Sequence, residues 1–292
     1  MYKKNIKIKL KRTLTPILVS FGVLVIWEFV ISITNYPEYL LPRPSVIFSA
    51  LVTNFDSLLY HTEITLFEAM VGFVIANILA FFIAVIFSHS KTIEAGFHPF
   101  VIALQTTPII AMAPLLVLWF GSDIGSKIAA AALVSFFPTI VNGVRGLETI
   151  DEEALDLFKS FSATRRQIFA KLRLPNSLPF FFQALKTSAA LSVIGAIVGE
   201  FVGANRGIGY IILTSTYHME TVKMFTAIIM SAAAGMLFFG IVSIIEKKVV
   251  FLASYGVAPV IGSKHFIRIS GKSDVDFLTL WKRKRAVRCW HD

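Results

Sequence analysis

Two acids set inside otherwise apolar runs, Glu68 and Glu200, are the residues whose placement most invites chemistry. An ionisable side chain in such a run pairs with a partner or lines the route of a solute. Glu200, near the outer end of its run, reads as a pathway or gate residue; the plainer reading is an acid at the interface that reaches water. The remaining chemical signals do not hold together. Gly271-Lys272-Ser273 ends like a phosphate-binding loop, but the glycine needed five residues earlier is replaced by Phe266. Gly207-Ile208-Gly209 lacks the third glycine of a dinucleotide loop and follows an apolar run, not a strand. His61, His89, His98, His218, His265 and His291 show no ligand spacing, and Cys289 is the single cysteine, so no metal site is expected. No Ser/His/Asp order suggests a nucleophile. The chain reads as a non-enzyme with no catalytic residue and no cofactor of its own.

The longest polar segment between apolar runs is 149–175. Thr149 with Glu152, and Thr164 with Gln167, have capping-box spacing, in which a hydroxyl accepts from a first-turn N–H and the acid or amide reaches back. They predict two short helices. Leu155, Phe158 and Phe161 share one face of the first; Ile168, Phe169 and Leu172 make an apolar patch on the second, which Pro175 should stop. An ordinary helical loop and a docking element are both compatible with that pattern.

The elements that hold these residues are membrane spans. The 292 residues are 55% hydrophobic and only 16% charged, with mean hydropathy +0.72; soluble domains carry nearer a quarter charged residues. Six runs reach the roughly 20 residues a crossing needs: 15–34, 65–87, 97–120, 127–147, 178–201 and 222–245. Segment 46–59 reads as an interfacial amphipathic helix. The net charge of +10 is explained by orientation rather than by nucleic acid. With the N-terminus cytoplasmic, only Arg43, Lys127, Arg206 and Lys223 fall outside, and both ends and the 149–175 loop lie inside. No cleavable signal peptide is evident. The divisions expected are a basic N-terminus 1–14, a membrane domain 15–248 and a basic tail 249–292, whose positives from Lys282 to Arg288 can meet anionic lipid.

Within the spans, Pro108 and Pro114 should kink the third, freeing carbonyls that must find partners in protein or water. Gly195, Gly199 and Gly203, four residues apart, allow close helix approach in the fifth. Lys186 can snorkel to the headgroups.

These residues also carry a resemblance. The 149–175 loop is similar to the cytoplasmic loop of ABC-importer permeases, which runs E-A-A, three residues, G, nine residues, I-x-L-P. Asp156-Leu157-Phe158 sit at E-A-A, Ser162 at the Gly, and Leu172-Arg173-Leu174-Pro175 at the close. The spacing holds, while the residues at the front differ. Pro108, Ala111, Ala113, Pro114, Leu115, Trp119, Phe120 and Gly121, followed by Ile124 to Lys127, resemble the subfamily that imports sulfonates, nitrate, taurine and vitamin precursors. So do Phe136 to Gly146 and Glu200 to Tyr210.

The resemblance spans roughly 15–250. It implies an all-α polytopic membrane protein of about six transmembrane helices with a type I ABC-importer permease-like fold. It further implies a homodimer in the cell membrane and a separate ABC ATPase subunit dimer that carries ATP and Mg. An extracytoplasmic binding protein would deliver a small organic solute to loops near 35–63 and 202–221. Asp156, Leu157, Phe158, Phe161, Ser162, Leu172, Leu174 and Pro175 would form the ATPase-coupling loop. Pro108, Pro114, Gly195, Gly199, Glu200 and Gly203 would line the path. An ion-coupled transporter or a channel is the other class, but Glu68, Lys186 and Glu200 all sit near span ends, and ion coupling usually places several ionisable groups deeper.

Overall fold

The computed structural model describes residues 2–34 and 36–257, with side chains from 14 to 249 except 17 and 35. Residues 1–248 form one unit and 249–292 a second, of which only 249–257 is described. The basic tail, Cys289 and Gly271 to Ser273 lie outside the described residues, as do the side chains of the N-terminal lysines. The helices are α1 (Tyr2–Thr34), α2 (Pro44–Thr53), α3 (Phe55–His89), α4 (Lys91–Thr106), α5 (Ile109–Phe120), α6 (Ile124–Glu148), α7 (Glu152–Ser160), α8 (Arg165–Ile168), α9 (Leu174–Glu200), α10 (Ile208–Tyr217) and α11 (Thr221–Val257), with a π turn at Phe169–Arg173. No strand occurs among the described residues.

The core is the trio α3, α6 and α9. Membrane helices lack a hydrophobic drive to associate in lipid, so close packing of small residues holds them. On α3, Ala69, Gly72, Ala76, Ala80 and Ala84 repeat almost every turn and are buried. A Cβ on Gly72 would lie 2.7 Å from Ala131 Cβ, and one on Gly195 would lie 2.8 Å from the Ala130 carbonyl. Side chains at half depth add hydrogen bonds across the trio. Thr139 Oγ1 donates to Asn77 Oδ1 and lies 3.2 Å from Ser188 Oγ. Ser188 Oγ donates to the Ser135 carbonyl at 2.6 Å.

These pairings fix directions. Gly72 meets Ile128 and Ala131, Asn77 meets Thr139, and Gly143 meets Ala84, so α3 and α6 run parallel. Gly199 meets Lys127 and Gly146 meets Ser177, so α9 runs antiparallel to both. The chain therefore leaves α3 beside Glu148 and re-enters α6 beside Gly72. The bent pair α4–α5 must make that return crossing. Five helices are individually long and apolar enough to span, and the bent pair supplies the sixth crossing.

Several boundaries differ from expectation. The third span, expected over 97–120, is broken into α4 and α5, which meet at 100°. Thr107 precedes Pro108 and is extended (φ −71°, ψ 124°), as a residue before proline prefers. The Thr106 and Thr107 hydroxyls cap the Ala103 carbonyl and so stabilise the end of α4. Pro114 lies inside α5 without ending it. The interfacial helix expected over 46–59 stops at Thr53, and residues from Phe55 begin α3. Asn54, whose amide donates to the Ala50 carbonyl, separates the two. Glu28 of α1 accepts from Ser45 N and Ser45 Oγ, which caps the start of α2.

Two expectations for the loop are also corrected. Thr149 does not cap α7. It ends α6, with its hydroxyl donating to the Arg145 carbonyl, and Asp151 caps α7 by accepting from Glu153 N–H. Pro175 does not stop the second helix. Residues 165–200 run on as one apolar helical segment through the π turn. There the Leu174 N–H reaches back five residues to Phe169, and this wider turn accommodates the proline that follows. The capping box at Thr164 and Gln167 forms as expected.

Candidate functional site

The residues of the 149–175 loop, expected from the resemblance to couple to an ATPase, divide into an exposed tip and a packed root. At the tip, α7 presents Leu157 and Phe161 to solvent, Phe161 at 77% exposure; Phe158 is half-buried. Asp156 is exposed and pairs with Lys159 at 2.9 Å. Helix α7 closes in a Schellman motif: Ser162 N–H donates to the Lys159 carbonyl and Ala163 N–H to the Phe158 carbonyl. This needs a left-handed residue, and Ser162 has φ +56°, the conformation glycine adopts freely. The glycine usual at that place in similar loops thus has a local reason. At the root, Leu172 is buried and Leu174 and Pro175 are half-buried.

The root is tied to the core trio. Asn176 Nδ2 donates to the Thr149 carbonyl. Lys91 Nζ pairs with Glu148 and, at 3.0 Å, with Glu94. The Phe169 ring lies 5.1 Å from that of His89.

The other end of the trio holds a dry polar cluster. Glu200 is 1% exposed, Lys127 2% and Glu68 4%. Glu200 is thus not an acid at a wetted interface. Its Oε1 accepts from Thr65 Oγ1 at 2.6 Å and its Oε2 from Gly209 N–H at 2.5 Å. The neighbouring first-turn N–H groups of α10 are also taken: Ile208 N–H donates to Thr65 Oγ1 at 2.8 Å and Gly207 N–H to His61 Nδ1 at 2.9 Å. A helix start normally leaves such donors free; here α3 and α9 supply the acceptors. A Cβ on Gly207 would stand 2.1 Å from Glu200 Oε1, and its φ is +106°, so only glycine fits. Glu68 interacts electrostatically with Glu200, Lys127 and Arg206, while its Oε2 has no hydrogen-bond partner. Lys127 Nζ donates to the Ser122 carbonyl.

The path residues expected from sequence are not gathered in one place. Gly195 and Gly199 face the α6 backbone as packing positions, Glu200 joins the dry cluster, and Gly203 is exposed with φ +70°. Pro108 and Pro114 are exposed on the bent pair. His61, Thr65 and Lys127 escaped the sequence reading, although ionisable groups at span ends were a signal for Lys127. Lys186, expected to snorkel, instead pairs with Glu246 of α11 at 2.8 Å.

Comparison with known proteins follows the same lines. Residues 76–251 match the family model described as binding-protein-dependent transport system inner membrane component. A probable ABC transporter permease protein of Haemophilus influenzae is 34% identical over 231 residues, covering 79% of this chain and 94% of the relative. The formylaminopyrimidine transport permease protein ThiX of Halalkalibacterium halodurans is 34% identical over 237 residues, covering 81% and 94%. Among solved structures, an inward-facing form of the MetNI methionine ABC transporter aligns with TM-score 0.53 and 18% identity, over 68% of this chain and 95% of that one. That likeness concerns the fold.

Proposed function

This chain belongs to the family of binding-protein-dependent transport system inner membrane components, transport permeases of ABC importers rather than enzymes, and from that premise we propose how it works. Two copies form the path for a small organic solute of the sulfonate, taurine and nitrate or the riboflavin and thiamine-precursor type. A binding protein delivers it on the Glu200 side. Two ATPase subunits, which carry ATP and Mg, engage the two 149–175 loops on the cytoplasmic side, where both termini also lie. Anionic lipid meets the basic tail.

The observation that carries the reading is the tip of α7. Leu157 and Phe161 are exposed on a polar loop, where an apolar patch calls for a protein partner, and Asn176 and Phe169 fasten its root to the core. Closure of the ATPases on ATP would pull both loops and rock the trio between inward-facing and outward-facing states. The cargo reading draws support from the relative named for formylaminopyrimidine.

The test is a pull-down of the tagged chain from gently solubilised membranes. An ATPase should co-purify with wild type and be lost when Phe158→Asp and Phe161→Asp are combined. ATP-driven uptake should vanish with membrane insertion intact. Normal uptake by that variant would sink the coupling role.

A further inference from the structure

The break between α4 and α5 places bare polar backbone inside the membrane. Helix α5 has 12 residues, α6 has 25; at 1.5 Å per residue these are about 18 and about 37 Å. The pair starts beside Glu148, where Lys91 is bound, and ends at the start of α6 on the Glu200 side, and both helices share the rise, so their break lies between the two ends of the trio. Val101 of α4 packs against the cluster of Ala80, Ala84, Phe87, Ile140, Val144, Leu147 and Phe181, which lies in the half of the trio toward Glu148. Thr107 lies six residues further on. Both measures put the break within a hydrocarbon core about 30 Å thick.

Residues 102–108 are all exposed. The carbonyls of Gln105, Thr106 and Thr107 make no hydrogen bond among the described residues, because Pro108 has no N–H and the 100° bend carries the following donors away. The Gln105 amide makes none either. In hydrocarbon each such group would cost several kcal/mol, and irregular backbone at that depth occurs only buried in protein or against water.

We propose that the Gln105–Pro108 break lines the water-filled part of the translocation path, with Gln105, Thr106 and Thr107 as the residues that meet the passing solute. This rests on the permease reading and adds a location to it. The break offers neutral donors and acceptors and no charged side chain. Such groups replace part of a polar solute's hydration without holding it, which passage requires. Glu200 and its partners, being dry and mutually bonded, do not serve this role.

The test uses the full chain in native membranes, with Cys289→Ser and one of Gln105→Cys, Thr106→Cys or Thr107→Cys. Each is treated with a charged, membrane-impermeant methanethiosulfonate and, separately, with a lipophilic maleimide. Total thiol is read after SDS denaturation. Inside-out vesicles are assayed without nucleotide and with ATP plus vanadate. Labelling by both reagents in at least one state is the expected result. Labelling by the maleimide alone would mean the break faces lipid. Labelling by neither before denaturation would mean a dry contact with a second copy. Either overturns the inference. Water access is read whether or not an ATPase co-purifies, so failure here and failure of the permease reading are separately visible.

Discussion

The two ends of the core trio solve opposite problems. At the Glu200 end, charged and polar groups are withdrawn from water and, Glu68 Oε2 excepted, bonded within the chain, and three successive N–H groups at the start of α10 are each received by a different side chain. At the loop end, an aromatic side chain stands 77% exposed beside a solvated ion pair. One end is finished within a single chain; the other, on the proposed reading, is completed by a partner. Stability should therefore concentrate at the first and coupling at the second.

The largest effect expected is that of Glu200→Ala. It strands the buried Gly209 N–H and leaves a cavity where the carboxylate sat, together on the order of 3–5 kcal/mol. Thermal unfolding in detergent should show it, with Glu200→Gln milder because a carbonyl acceptor remains. Gly207→Ala should follow at about 3 kcal/mol, from a forced clash with the Glu200 carboxylate and a left-handed φ; an unchanged melting temperature would contradict the close approach of Gly207 to Glu200. Thr139→Val, which deprives Asn77 Oδ1 of its donor at mid-depth, should cost about 1 kcal/mol in the same assay.

At the loop, Ser162→Gly should act in the other direction. It relieves the left-handed strain and should raise protection of the α7 amides in hydrogen exchange, by up to about 1 kcal/mol. Phe161→Asp should change thermal stability by less than about 0.5 kcal/mol yet abolish ATP-driven uptake. If instead it unfolds the protein while Glu200→Ala does not, the contrast between the two ends is wrong.

Much of this protein was legible in its residues. The spans, the second capping box, the spacing of the loop and the close-packing glycines follow from local rules, since hydropathy, first-turn donors and small side chains act over a few residues. The break at Pro108 was half legible: proline announced a disturbance, but neither its 100° size nor the Thr106 and Thr107 hydroxyls that turn back to cap α4 can be read from local pattern. Pro175 misled because the sequence does not show a π turn, which absorbs the missing donor within a continuing helix.

By itself, then, the sequence determined that the chain crosses a membrane repeatedly, where its polar loop lies and which family it resembles. Only the tertiary structure decided that Glu200, Lys127 and Glu68 are dry. A span-end acid meets water or protein according to what packs beside it, and here α3, distant in sequence, brings Thr65 to the carboxylate while the turn into α10 folds Gly209 back onto it. The parallel pairing of α3 with α6 likewise turned a bent pair into a crossing, because no local pattern states which helix lies next to which.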